Sequence, residues 1–465
     1  MLRALRAGFS VPAVSLPFVV LMLVGGCRSG SSSGPSAGAT LTSAAQPSAA
    51  STASPGDASS RPNGSRPASE LPDEVAKPNA EEVRRLALAT NAFGFELFAR
   101  LGGTANAALS PASLSLALGM TYFGARGETA AEMKKVLHLD GDDAALGRVY
   151  ASWIRSWLSK VRSGVELETA NRLFVEATLT VEPAYLEFTR ARFAASPQQL
   201  PLSSDSEVAR AFINAWVEGV THRKIVGLLP VGSVTADTRL ALVNALYFKA
   251  RWMDAFREAA TRDADFSSFG GEPMKVPTMH ASGSYRYADV DLAQVLELPY
   301  EGGEFAMGFV LPKKTNGLAE VERLLDAKTL DAWTTKLAVA DVVVALPRFK
   351  VAPVKSLELK PALVALGMPI AFDPERVDLT GISFHARPEE RLVIAEVFHK
   401  TYVAVDEHGT EAAAATAVVI VKGGASPTSG APPKTFIADH PFLFYVRDTA
   451  TGVLLFFGRV SDPRH

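Results

Sequence analysis

The stretch DEHGTEAAAATAVVIV (Asp406–Val421) carries two opposed signals. Its alanines favour helix, where alanine loses no side-chain entropy. Its Val-Val-Ile-Val end favours strand, where β-branched side chains pack well. It runs into KGGASPTSGAPPK (Lys422–Lys434), whose Gly, Pro and Ser content marks a loop. When such a segment is extended, alternate residues face opposite sides. One face reads Thr410, Ala412, Ala414, Thr416 and Val418; the other reads Glu411, Ala413, Ala415, Ala417 and Val419. The first face is small through its leading half, so a strand with that face inward would not overpack what lies beneath it. The second begins with a carboxylate, which suits solvent. No proline lies between Asp406 and Pro427, so an extended segment can donate every ladder hydrogen bond. Gly409 gives the start of the segment backbone freedom.

Around this segment the chain has 465 residues, a formal net charge of −2 and 48% apolar residues, enough for a large core. Near-neutral charge gives no reason to expect nucleic acid as a partner. Length alone allows two or three domains. At the N-terminus, Arg3 and Arg6 precede an apolar stretch from Val11 to Val24, the pattern of a secretory signal over residues 1–27. Val24-Gly25-Gly26-Cys27 resembles a bacterial lipobox, in which Cys27 is lipidated and becomes the new N-terminus. A plain cleaved signal and an uncleaved anchor are the alternatives; Pro12, Pro17 and the short apolar core count against a spanning helix. The expected location is therefore exported: a lipoprotein on the cell envelope or a secreted protein, touching membrane only through the N-terminal lipid. Cys27 is the single cysteine, so neither a disulfide framework nor a cysteine nucleophile is available. Residues 28–78 are rich in Ser, Ala, Pro and Gly and read as a flexible tether.

From residue 79 to 465 the pattern changes. Ala80–Leu101, Ser113–Phe123, Glu128–Leu137 and Val149–Val161 have helical spacing, the third with Thr129 and Glu132 placed as a capping box. LALVNALYF (Leu240–Phe248) is an almost continuous apolar run, as expected of a strand buried on both faces. AQVLELPY and FAMGFVLP flank EGGE, a hairpin signal, and FLFYVRD and VLLFFGRV flank TATG, another. VVVALPRFKV (Val342–Val351) reads as one strand, with Pro347 suggesting an edge or bulge. Helices come early and strands late with no linker between them, which argues for one large α+β domain.

No catalytic signature is present: no GxSxG, HExxH or P-loop, and no GxGxxG following a strand. The eight histidines lack metal-ligand spacing, so no metal or cofactor is expected. DGDD (Asp140–Asp143) reads as a polar loop, lacking the spaced ligands of a calcium loop. Arg155, Lys160 and Arg162 read as a solvated basic face. His399 between two apolar runs reads as a satisfied structural histidine. A hydrolase survives only because triads need not be adjacent in sequence.

Several segments resemble one family. NAALSPASLSLALGMTYFGARGETAAEM (Asn106–Met133), FINAWVEGVTHRKI (Phe212–Ile225), LVNALYFKARW (Leu242–Trp252), LPRFKV (Leu346–Val351), FHKTYVAVDEHGTEAAAATA (Phe398–Ala417) and ADHPFLFYVRD with LLFFGRV resemble, in order, the motifs of the serpins. The resemblance implies a single large α+β domain, with helices packed around a central mixed β-sheet A, smaller sheets and an exposed reactive-centre loop at about residues 407–435. It implies no enzyme, but a monomeric suicide-substrate inhibitor of serine proteases, whose cleaved loop inserts as a new strand. Alternatives are an inhibitor of cysteine proteases and a non-inhibitory serpin acting as a binding or structural protein.

The resemblance also assigns residues. Glu407, Gly409, Thr410, Glu411, Ala412, Ala413, Ala414, Ala415 and Thr416 match the hinge, with Trp252 where insertion begins. Ser110, Ser113, Asn214 and His399 match the shutter, a hydrogen-bonded cluster beneath the sheet. Counting from Glu407 puts the scissile bond at Gly423-Gly424, although the loop is longer than the family norm. Chemistry favours Lys422-Gly423, whose cation suits a trypsin-like acidic pocket. A cut within Val418 to Val421 would instead suit an elastase-like target.

Overall fold

The computed structural model describes residues 77–161, 164–269, 272–384, 391–410 and 432–464. The expectations for the signal, for Cys27 and for the tether up to Ala76, and those for Glu411 to Thr416, for a cut within Val418 to Val421 and for Lys422 to Gly424, lie outside these residues.

The first helix, Ala80–Leu101, starts where its cap is. The Asn79 side chain accepts from Glu82 N at 2.8 Å, and the Glu82 carboxylate accepts from Asn79 N at 2.9 Å. The capping box expected at Thr129 and Glu132 does not form. Helix Gly127–Val136 begins at Arg126 without a side-chain cap. Its Thr129 hydroxyl accepts from Asp378 N and Glu132 accepts from Ile370 N, so both side chains tie the helix to a distant loop. Asp142 caps helix Asp143–Lys160, as a polar loop before a helix should. Lys160 departs from the solvated face expected of it: its side chain is 13% exposed and reaches the buried Asp448 at 2.5 Å.

The strands form two mixed sheets. The nine-stranded sheet runs in the order Ala107–Leu109, Leu454–Val460, Phe442–Asp448, Phe305–Pro312, Ala293–Pro299, Met274–Asp289, Ala338–Pro347 and Lys434–Ile437, with Arg262–Phe266 added on Met274–Asp289. Both expected hairpins are here, as antiparallel pairs. The eight-stranded sheet is built on the long central strand Leu240–Arg251, buried at nearly every position. One edge pairs throughout with Val165–Glu176, which in turn pairs Gln198–Leu200. The other edge meets Ile394–His399 in parallel, with Leu357–Glu358 beyond it, and meets Gly409–Thr410 antiparallel at the far end.

VVVALPRFKV is two strands, not one. Ala338–Pro347 lies inside the nine-stranded sheet, and Phe349–Val351 pairs Val403–Val405 in the other. Proline ends the first strand because it cannot donate onward, and Arg348 occupies the crossing. One large core joins helices Ala80–Leu101 and Pro111–Gly124 to both sheets; a smaller one packs helix Ser206–Val220 over the central strand through Ile213, Trp216, Val243 and Ala245. No described helix is long and apolar enough to cross a membrane.

Candidate functional site: the hinge and the central strand

The chain approaches the segment expected to be the hinge along Val403–Val405, turns at Asp406 and returns as Gly409–Thr410, already a strand. The Asp406 carboxylate accepts from His408 N at 2.8 Å and Gly409 N at 3.2 Å, and Asp406 N donates to Gly409 O. This self-bonded aspartate turn is what makes so short a hairpin. Burial nevertheless pushes its carboxyl above the usual range. The returning strand lies between Val405, paired with Thr410, and the central strand, where Gly409 pairs Arg251 and Thr410 pairs Ala250.

Gly409 is required here for a reason stronger than freedom to pivot. Its φ is +154°, and a Cβ built on it would sit 2.0 Å from the Ala250 carbonyl oxygen. Thr410 is buried, and its hydroxyl lies 2.5 Å from the Tyr300 hydroxyl. Tyr300 in turn stacks on Trp252, ring centroids 4.7 Å apart and 5° from parallel. Trp252 braces the turn from outside: its indole N–H donates to Asp406 O and its backbone N–H to His408 O, both at 2.9 Å. An aromatic platform thus fixes the turn and Thr410.

Glu407 anchors the same turn electrostatically. Its side chain is 2% exposed and accepts from Arg348 Nε at 2.9 and 2.8 Å, from Arg348 Nη2 at 2.7 Å, and from the Thr261 hydroxyl. Burial raises the pKa of this carboxyl, but the Arg348 and Thr261 hydrogen bonds outweigh it and hold the group below the usual range. The strand crossing at Arg348 is what brings the guanidinium here.

Lower down, three of the four residues expected in one cluster do meet. His399 is fully buried; its Nε2 accepts from Ser110 N at 3.0 Å, and its Nδ1 is 2.9 Å from Asn244 Oδ1. Since Ser110 N can only donate, Nε2 is unprotonated and Nδ1 carries the hydrogen. Burial drives the imidazole pKa down to about 3, against the hydrogen bond with Asn244. Ser110 caps helix Pro111–Gly124 by accepting from Ser113 N at 3.2 Å. Ser113 Oγ donates to Asn171 Oδ1 at 3.2 Å and accepts from Asn244 Nδ2 at 2.6 Å.

Asn214 is not part of this cluster. It sits on helix Ser206–Val220 and clamps the loop beyond that helix, donating to Leu229 O at 2.9 Å and accepting from Leu229 N at 2.8 Å. The asparagines at the cluster are Asn244 and Asn171, which the sheet register places side by side with His399 across three strands. The signal was in the sequence: Asn244 is the lone amide inside the apolar run LALVNALYF, and a buried amide there must have partners.

Between this cluster and the hinge the edge of the central strand changes partner. Pairing with Ile394–His399 ends at Asn244, and pairing with the hinge resumes at Ala250. Across Ala245 to Lys249, the described strands make no ladder on that edge.

The family model for the serpins (serine protease inhibitors) matches residues 88–463. Human Serpin B8 is 40% identical over 385 residues, covering 81% of this chain and 98% of its own. Human leukocyte elastase inhibitor is 36% identical over 392 residues, covering 82% and 100%. The native crystal structure of the thermophilic serpin tengpin aligns with a TM-score of 0.74 at 26% identity, covering 83% of this chain and 96% of that one. The chain belongs to the serpin family.

Proposed function

We propose that the chain inhibits serine-type endopeptidases irreversibly: the target cleaves the reactive loop, and the freed hinge enters the central sheet before the acyl-enzyme hydrolyses. One observation carries this reading: the break in pairing at Ala245 to Lys249, with Gly409–Thr410 seated at its upper end. Continued beyond Thr410, the same register sets Glu411 opposite Lys249, Ala412 opposite Phe248, Ala415 opposite Ala245, and Thr416 opposite Asn244. Ala412 and Ala414 would share the Thr410 face, over the core that holds Phe248 and Leu246. Ala413 and Ala415 would face the side that helix Ser206–Val220 covers at Ala245. Both faces are enclosed, so all four residues need to be small. Insertion past Ala415 would then have to part Asn244 from His399.

Lys422 as the residue before the cut favours a trypsin-like target; the named activity of the elastase-inhibiting relative keeps a cut within Val418 to Val421 as the second outcome. We further infer export, a lipid on Cys27, and a monomeric inhibitor. The test incubates the purified chain with trypsin and with pancreatic elastase. The expected result is an SDS-resistant complex with one of them, and a released C-terminal peptide whose mass gives the bond cut. Cleavage of the loop by both enzymes without any complex would refute trapping.

A further inference from the structure

Three segments meet at the end of the strand pair Phe349–Val351 and Val403–Val405 that points away from the hinge turn. The Lys400 ammonium donates to Val226 O and to Val354 O, both at 2.9 Å. Ser356 Oγ donates to Leu228 O at 2.7 Å. The strand pair fixes which side of the molecule this is. At one end Val405 pairs Thr410; at the other, Val351 pairs Val403, and the two strands lead to Val354 and Lys400. Apolar side chains are left in water here. Val354 is 92% exposed, Val231 83% and Val226 51%. Val231 and Val354 each follow a proline, whose fixed φ stiffens the loop. Single exposed valines are ordinary, but a group of them on adjoining loops marks a contact surface.

The same segments carry charge of one sign. No carboxylate lies between Glu218 and Asp237, between Asp341 and Glu358, or between Glu396 and Asp406. Arg223, Lys224, Lys355 and Lys400 all fall within these intervals. Arg223 and Lys355 are exposed. The Lys224 ammonium lies 5.2 Å from the centre of the Tyr402 ring, which joins the turn after helix Ser206–Val220 to the Lys400 segment. His222 and Arg223 both have positive φ, 49° and 62°, a conformation uncommon for side chains other than glycine. The turn keeps a cation at its tip in spite of that strain.

We propose that this surface docks on an anionic phospholipid bilayer, with Val231 and Val354 entering the interface and Arg223, Lys224 and Lys355 among the headgroups. Cations flanking exposed apolar residues are what such a bilayer selects: the headgroups attract the charge, and the acyl boundary takes up the apolar side chains. A soluble polyanion would meet the cations but leave the valines in water. Docking does not use the hinge turn, which lies at the other end of the strand pair.

The test uses the full chain carrying Cys27→Ser, so that no acyl group on that cysteine carries it to a vesicle. Flotation is measured with phosphatidylglycerol vesicles and with phosphatidylcholine vesicles, the latter reporting whatever the N-terminal apolar stretch contributes. Binding to phosphatidylglycerol is expected to be at least about tenfold tighter, the effect of a few cations near an anionic surface, and to weaken as salt is raised. Arg223→Glu/Lys355→Glu should bring it down to the phosphatidylcholine level. Val231→Ser/Val354→Ser should weaken it at least about tenfold, while leaving binding to dextran sulfate, a polyanion with no apolar interior, unchanged. All four positions are exposed, so the Tm of both variants should stay near that of the parent. Equal binding to the two lipids, or undiminished binding by the arginine–lysine variant, would overturn the proposal. Undiminished binding by the valine variant would overturn it too, and would make the partner a soluble polyanion. No protease enters these measurements, so their outcome is separate from that of the inhibition test.

Discussion

His399 Nδ1 and Asn244 Oδ1 lie 2.9 Å apart at the register position where the central strand last pairs with its parallel neighbour. Below this contact that edge of the strand is laddered; above it, from Ala245 to Lys249, the described strands make no ladder on the same edge. Because Ser110 N–H already points at Nε2, a second proton on the ring has no acceptor there.

This makes stability depend on pH with a definite sign. The imidazole pKa is about 3 in the folded chain and roughly 6.5 when unfolded. Between those values the unfolded chain binds a proton that the native chain does not. His399 therefore takes nothing from stability above pH ~6.5. As pH falls below that, it costs about 1.4 kcal/mol per pH unit until the folded pKa is reached. Urea unfolding from pH 7.5 to 4.5 should show a steeper loss for wild type than for His399→Gln, whose amide can donate to Asn244 and accept from Ser110. Parallel pH profiles would show that the ring is not held neutral.

The Arg348–Glu407 pair predicts a different kind of loss. Removing Arg348 as Arg348→Met leaves a carboxylate that is 2% exposed without its main donor. Breaking a buried pair from one side costs about 3–5 kcal/mol, and replacing both partners with apolar groups costs far less. Arg348→Met is expected near the lower end of that range, because the arginine itself is half exposed. Arg348→Met/Glu407→Leu should recover most of the loss in chemical denaturation. A single variant within about 1 kcal/mol of wild type would mean that the Thr261 hydroxyl and the turn suffice.

Most of the architecture is legible in the sequence, because long periodic runs such as Ala80–Leu101 and Leu240–Phe248 have few competing states. The failures were places where tertiary partners outrank local signals. Thr129 and Glu132 have capping-box spacing, yet a loop near Asp378 and Ile370 claims both side chains. VVVALPRFKV looks continuous, yet Pro347 lets the chain leave one sheet and enter another. Asn214 stands in a motif that resembles the family, yet only the register could show that Asn244 and Asn171 are the amides beside His399. The pre-seated pair Gly409–Thr410 had no local signal, since two residues carry no periodicity.

Gly409 gives a steric prediction. Any Cβ at this position meets the Ala250 carbonyl, so Gly409→Val must lift the returning strand off the central strand. The Thr410–Tyr300 hydrogen bond should be lost with it. Near-UV circular dichroism should change, because Tyr300 stacks on Trp252, and stability should fall by about 1–3 kcal/mol from strain or from loss of the seat. An unchanged aromatic spectrum would show that the turn does not depend on glycine.

Thr410→Arg tests the seat as the starting point of insertion. Thr410 is buried against the Tyr300 hydroxyl and the Met307 sulfur, and its partner across the sheet is Ala250. A guanidinium cannot occupy that site without losing its hydration, a cost of several kcal/mol for an unpaired ion. The hinge should then stay outside the sheet after cleavage, and the acyl-enzyme should hydrolyse before the strand can enter. The variant is expected to fold, to be cut in the loop as fast as wild type or faster, and to leave the protease active. Cleavage should raise the Tm of the wild-type chain strongly, by well over 10 °C, several kcal/mol at roughly 2–4 °C per kcal/mol. The cleaved variant should stay within a few degrees of its uncleaved form. An SDS-resistant complex at wild-type yield from Thr410→Arg would place the start of insertion elsewhere than the Thr410–Ala250 pairing.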